Sequence, residues 1–185
     1  KVNPLLPGFI EEVNKLSPDF VIFGGDNVPG YLRSYDHIEI ELDYFISNLE
    51  KINSKVYLLP GDHDIYSGAS VEVWKDKIGP LYQSFNFMNS KFILLNSIEA
   101  DETLRDVFYK AHYQDIKKSD PNQYLFLKTE LKIAEKDTSI DNIFIFLHNH
   151  PWYKSSGMNQ QGAEFGYSIE NWSEYHHLFK MFSKV

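Results

Sequence analysis

Three stretches of this chain gather side chains that hold cations or move protons. They are FGGD (Phe23 to Asp26), PGDHD (Pro60 to Asp64) and LHNHP (Leu147 to Pro151). Carboxylate oxygens are hard donors and imidazole nitrogens are borderline ones, so Asp26, Asp62, His63, Asp64, His148 and His150 form a ligand set for divalent metals. An imidazole in such a cluster also serves as a proton donor or acceptor near neutral pH. Each stretch has a plainer reading by itself. Gly-Asp after a strand is a turn with a capping carboxylate, Gly-Asp-His-Asp a solvated turn, and a strand-end His a hydrogen-bonded core residue. Three of them at three strand ends argue for a site.

The elements that must position these residues are visible as short apolar runs. FVIF (20–23), VYLL (56–59) and IFIF (143–146) each lead directly into one stretch and read as buried strands. In a parallel α/β sheet the carboxyl ends of the strands share one edge, where ligands bind. Between the runs, apolar spacing predicts helices over 4–16, 37–52, 71–78 and 122–136, and a last helix from Asn171 toward Val185. Residues 82–97 read as an antiparallel hairpin turning at Asn89-Ser90. Residues 99–121 read as a polar loop with a short helix, and 155–168 as a Gly/Gln/Ser-rich loop. Alternation of strand and helix places a parallel or mixed sheet between helices.

Composition sets the outer bounds. With 185 residues, 43% hydrophobic and 16% aromatic, the chain suits one domain, 1–185, with its own core. A net charge of −8 argues against a nucleic-acid surface. Cysteine is absent, which excludes disulfides, thiolate metal sites and a cysteine nucleophile. No apolar run reaches the ~18 residues of a membrane span. The chain opens at Lys1 with no initiating Met and no signal peptide, and reads as trimmed.

The order Gly25-Asp26, then Gly61-Asp62-His63-Asp64, then a strand-end His close before Pro151 resembles the calcineurin-like metallophosphoesterase superfamily. The segment IGPLYQSFNFMNSKFILLNS (78–97) is similar to the stretch after the Asn-His motif in its phosphodiesterase and purple acid phosphatase branches. The resemblance implies an αββα sandwich of mixed sheets flanked by helices. It also implies hydrolysis of phosphate mono- or diesters by a metal-bound hydroxide at a site with two divalent ions (Mn, Fe, Zn or Mg). It makes Asp26 the bridging carboxylate, and Asp62 and His148 further metal ligands. His63 becomes the residue at the substrate phosphate or leaving group, with Asp64 its orienting acid. His150 and Tyr153 fall on the substrate side, with a small-molecule phosphate ester as the partner.

The departures from the family pattern carry information of their own. Asp62 stands where the family has a neutral Asn, which adds negative charge, tightens metal binding and weakens attraction for phosphate. Pro29 stands where iron-type purple acid phosphatases have a Tyr ligand. Neither an opening Asp-x-His nor a closing Gly-His-x-His is found in residues 1–185. Truncation at both ends of the domain accounts for that; the alternative is a non-catalytic binding module on a degenerate phosphoesterase fold.

Overall fold

A computed structural model of the chain describes residues 5–30, 34–100, 112–113, 116–149, 157–158, 164–165 and 172–185. The chain divides into two compact units, Lys1–Leu81 with Ile98–His112, and Tyr82–Ser97 with Tyr113–Val185.

The first unit is a parallel β-α-β arrangement. Helix α1 (Leu6–Leu16) has Pro7 in its first turn, where no N–H is needed, and stops at Ser17 with a left-handed φ of 48°. Strand β1 (Phe20–Phe23) pairs in parallel with β2 (Lys55–Leu58), Val21 opposite Val56 and Phe23 opposite Leu58. Helix α2 (Tyr35–Leu49) makes the crossover, and the Ser34 hydroxyl caps it by accepting the His37 N–H. Helix α3 (Gly68–Lys77) starts on a reciprocal Ser67–Ser70 capping box. Ile10, Leu42, Phe45, Ile65, Val73 and Trp74 are buried in one cluster against the sheet side chains Val21, Phe23, Val56 and Leu58. Burying each large side chain contributes about 1.5–3 kcal/mol, which holds the strand ends in place. Lys77 joins α3 to α2 through Glu39 (2.7 Å) and Asp43 (3.1 Å).

The second unit is built on a mixed sheet. Strands β3 (Gln83–Phe87) and β4 (Ser90–Leu94) form an antiparallel hairpin; the short strand β5 (Ile98–Glu99) belongs to the first unit, and β6 (His112–Tyr113) lies at the boundary, ahead of helix α4 (Ile116–Ser119) in the second. Helix α5 (Pro121–Lys136) leads to β7 (Asn142–Phe146), which runs parallel to β4 in the order β3-β4-β7. Strands β8 (Gly157–Met158) and β9 (Glu164–Phe165) pair antiparallel, and α6 (Trp172–Phe179) follows. Leu127, Leu131 and Ala134 of α5 cover Ile93 and Ile143 on one sheet face. On the same face Lys91, only 7% exposed, reaches Glu130 of α5 at 2.6 Å and Asn86 Oδ1 at 3.3 Å. The opposite face carries stacked rings, Phe85 on Phe92 at 4.9 Å and Phe92 on Phe144 at 5.2 Å.

The hairpin turn departs from expectation by one residue. Phe87 pairs with Ser90, so Met88-Asn89 make the turn, not Asn89-Ser90. Met88 takes a left-handed φ of 50°, a conformation its side chain does not advertise. Each unit sets helices against a sheet, the mixed α/β class that the sequence predicts.

Candidate metal centre

The site grows from the end of β1. After Phe23 the chain turns through Gly25 at φ 96° and Asp26 at φ 55°. Glycine takes that region freely, while a non-glycine residue costs about 1–2 kcal/mol there, least for Asp and Asn. Asp26 is held by its neighbours: its Oδ1 accepts the His63 N–H at 3.1 Å. The strained turn of β1 is thereby tied to the loop that follows β2.

Asp64 makes the tie rigid from beneath. It is 1% exposed. Its Oδ1 accepts the N–H groups of Asn27 (2.9 Å) and Val28 (3.2 Å). Its Oδ2 accepts the Asn27 side-chain amide (2.9 Å) and the Gly61 N–H (2.8 Å). One carboxylate thus satisfies donors from both strand-end loops, donors that would otherwise be orphaned at a buried turn. Burial pushes its carboxyl up to about 7, the Gly61 N–H pulls it down, the nearby Asp26 charge pushes it up, and the Asn27 and Val28 N–H groups pull it down.

His63 takes its bearing from the same loop. Its Nδ1 lies 2.5 Å from the Pro29 carbonyl oxygen. A carbonyl only accepts, so Nδ1 carries the proton and Nε2 points away from Pro29. The sequence reading makes Asp64 the orienting acid of His63; in the structure its carboxylate bonds Asn27, Val28 and Gly61, and the ring nitrogen meets the Pro29 carbonyl instead. Gly30 closes the loop at φ 67°; a Cβ there would overlap the His63 carbonyl and lie 2.7 Å and 2.8 Å from its C and Cα. The Gly30 N–H donates to Glu41 Oε2 of α2 at 3.1 Å.

The sequence places Asp26 and Asp62 as metal ligands, and in the first unit each offers a carboxylate oxygen within 4.8 Å of the other's. Two anions this close repel unless a cation lies within reach of both, so the donor set fits a divalent ion of the hard or borderline class. Asn27 Oδ1 adds a buried oxygen with no hydrogen-bond partner among the described residues.

His148 belongs to the second unit, where it follows β7 and is half-buried. The β4–β7 ladder continues past the strands, with Leu95 N–H donating to Phe146 O at 3.0 Å. Beside His148, Asn149 is pinned by Ser97: the Ser97 hydroxyl donates to Asn149 Oδ1 at 2.6 Å and accepts the Asn149 N–H at 3.1 Å. Gln123 of α5 brackets Asn96 in the same way, at 2.7 Å and 3.1 Å. His150 and Tyr153 lie outside the described residues.

Asn27, Gly30, Glu41 and Ser97 were not singled out from sequence. Pro29-Gly30 has the composition of a turn and Asn27 adjoins Asp26, but Pro29 and Gly30 act through backbone C=O and N–H groups, and Asn27 through its N–H and side-chain amide to Asp64. Glu41 sits inside a helical pattern and gave no signal.

The family model for calcineurin-like phosphoesterases matches residues 4–178. Among solved structures, a dimetal phosphatase from Danio rerio is similar with a TM-score of 0.67 at 14% identity, over 98% of this chain and 68% of that one. A purple acid phosphatase from seeds of yellow lupin (Lupinus luteus) is similar with a TM-score of 0.57 at 16% identity, over 88% of this chain. The chain spans 28% of the lupin protein's length. At these identities the likeness is one of fold, and it is the metallophosphatase fold of mixed sheets flanked by helices. No curated protein matches the chain at a significant level.

Proposed function

The chain belongs to the calcineurin-like phosphoesterase family, and from that premise we propose that it hydrolyses small-molecule phosphate mono- or diesters with the help of two divalent ions. The observation that carries the reading is the Asp26–Asp62 carboxylate pair, clamped to the His63 main chain and to Asp64 in the first unit. Asp26 and Asp62 would hold metal in the first unit, and the family resemblance assigns His148 a ligand role as well. Mn, Fe, Zn and Mg all suit oxygen and imidazole donors. Bound there, the ions supply positive charge that acidifies water and neutralises phosphoryl oxygens.

The chain's own residues do the rest. Water oxygen bonds to phosphorus, its proton passing to bulk solvent, as the bond from phosphorus to the leaving oxygen breaks. His63 gives that leaving oxygen a proton from Nε2 in its doubly protonated form, while Nδ1 stays on the Pro29 carbonyl. Asp62 in place of a neutral donor raises the negative charge of the site, so the ions are bound more tightly and the substrate dianion less. We assign His150 and Tyr153 to substrate contacts, and the two units to one phosphoesterase domain, since one family match runs through both.

The test uses the full-length protein, its metal content measured and its activity assayed on a panel of mono- and diesters. We expect bound divalent metal, activity lost on chelation and restored by metal, and at least a ~100-fold loss in Asp26→Asn together with loss of metal. A full-length protein that holds no divalent ion and cleaves no ester overturns the reading and leaves the binding module.

A further inference from the structure

We propose that Glu41, on helix α2 and outside every motif of the site, is a positioning residue for His63. The inference rests on the reading of His63 as the proton donor to the leaving oxygen. Its structural part stands independently of that reading.

The connection is short and continuous within the first unit. Glu41 Oε2 accepts the Gly30 N–H at 3.1 Å. Gly30 lies so close to the His63 main chain that no side chain fits between them. Pro29, joined to Gly30 through a peptide bond, presents its carbonyl oxygen to His63 Nδ1 at 2.5 Å. Proline lacks an N–H, so the Val28–Pro29 peptide offers no donor, and the next donor along the loop is the Gly30 N–H. That donor belongs to the same peptide plane as the Pro29 carbonyl. Because a peptide is planar, the group that holds its N–H also sets the direction of its C=O. Glu41 therefore aims the Pro29 carbonyl, and the carbonyl selects the Nδ1–H tautomer and directs Nε2.

The platform behind Glu41 is suited to the task. Ile38, Leu42 and Phe45 bury the adjacent stripe of α2 in the core. Lys77 binds Glu39 and Asp43 on neighbouring positions of the helix. A helix fixed by packing and by ion pairs holds its carboxylate still relative to the strand ends. Asp64 anchors the first half of the loop at Asn27 and Val28. Glu41 anchors the second half at Gly30, so each has a distinct share.

The experiment compares Glu41→Ala and Glu41→Gln with the unaltered full-length protein. Gln keeps an oxygen acceptor for the Gly30 N–H, so it is the conservative control. The first readout is the imidazole tautomer of His63, taken from two-bond 1H–15N correlation in alkaline buffer, where imidazoles are neutral. The His63 signal is assigned by its loss in His63→Ala. The Nδ1–H form should dominate in the unaltered protein and in Glu41→Gln, and Glu41→Ala should shift toward a mixture. The second readout is kcat on an alkyl phosphate against a nitrophenyl phosphate, with metal content measured. Glu41→Ala should lose ~10-fold on the alkyl ester and less than ~2-fold on the nitrophenyl ester, with metal unchanged.

A His63 tautomer that is identical in all three proteins overturns the inference, whatever the activities. Equal losses on both esters overturn it as well. If the tautomer responds but none of the proteins cleaves any ester, the positioning role stands and the hydrolase reading falls. A Glu41→Ala protein that fails to fold passes the test to Glu41→Asp, which keeps the charge with a shorter reach and should also weaken the Nδ1–H preference.

Discussion

The two units bury polar side chains for different ends. In the first, Asp64 lies under a strand edge and collects donors from the loops after β1 and β2. In the second, Lys91 lies under α5 and ties the hairpin to that helix through Glu130. Both are ionisable and nearly inaccessible, yet one fixes the backbone of a candidate site while the other fixes a helix on a sheet. Buried charge alone therefore does not mark function. What separates the cases is the partner: loop N–H groups beside the candidate ligands Asp26 and Asp62 for Asp64, a single opposite charge for Lys91.

Breaking Asp64 should have the largest effect. Asp64→Ala leaves three backbone N–H groups and the Asn27 amide without their acceptor, and should cost about 3–5 kcal/mol in urea unfolding. Metal content should fall with it, because the turn bearing Asp26 loses its support. A destabilised variant that still binds metal normally would show that the site does not depend on this carboxylate.

Lys91 gives the contrasting case. Lys91→Met leaves the half-buried Glu130 with the Ser84 hydroxyl but without its cation and should cost about 1–3 kcal/mol, with kcat/KM unchanged at temperatures where the protein is folded. Lys91→Met with Glu130→Leu should recover most of the loss, because an apolar pair of similar volume needs no desolvation of charge. If the double variant is as unstable as the single one, the pair contributes more than mutual neutralisation. If activity falls in either, the contrast between the units is wrong.

The legibility of the chain follows the same division. Strand runs and helix periods were readable because each is a pattern of apolar side chains, and β1, β2 and β7 lie where FVIF, VYLL and IFIF predict. The hairpin was readable, but its turn was placed one residue late, since Met88 in a left-handed φ has no compositional sign. Asp26, Asp62 and His63 stood out because their chemistry is in their side chains. Gly30 did not, because it works through a peptide N–H that every residue has, and Asn27 and Glu41 did not, because their side chains bond partners distant in sequence. Glu41 in particular is indistinguishable in sequence from the solvated acids around it on α2.

The smallest expected effect concerns the outer rim of the second unit. Glu135 is held below the usual carboxylate range by the Ser183 hydroxyl, and Asp137 by the Ser139 hydroxyl. A depressed carboxyl contributes stability that is complete above its unfolded value, about 4, and that is lost as pH falls through the lower folded value. The docking of Ser183 and Lys184 onto α5 should therefore weaken only under acid, read as lower amide protection at 180–185 relative to the intrinsic exchange rate at each pH. In Ser183→Ala that loosening should begin at higher pH. Protection that does not change with pH in either protein would remove these carboxylates from the account.

The left-handed turn at Asp26 bears on how this protein would behave under laboratory selection. Glycine or asparagine sits comfortably at that torsion, and either removes an anion from beside Asp62 and Asp64. A library screened for heat resistance alone would thus enrich replacements at position 26 and hand back sturdier chains that lack one of the two candidate ligand carboxylates. Only a double screen, for endurance and for turnover together, would keep the aspartate.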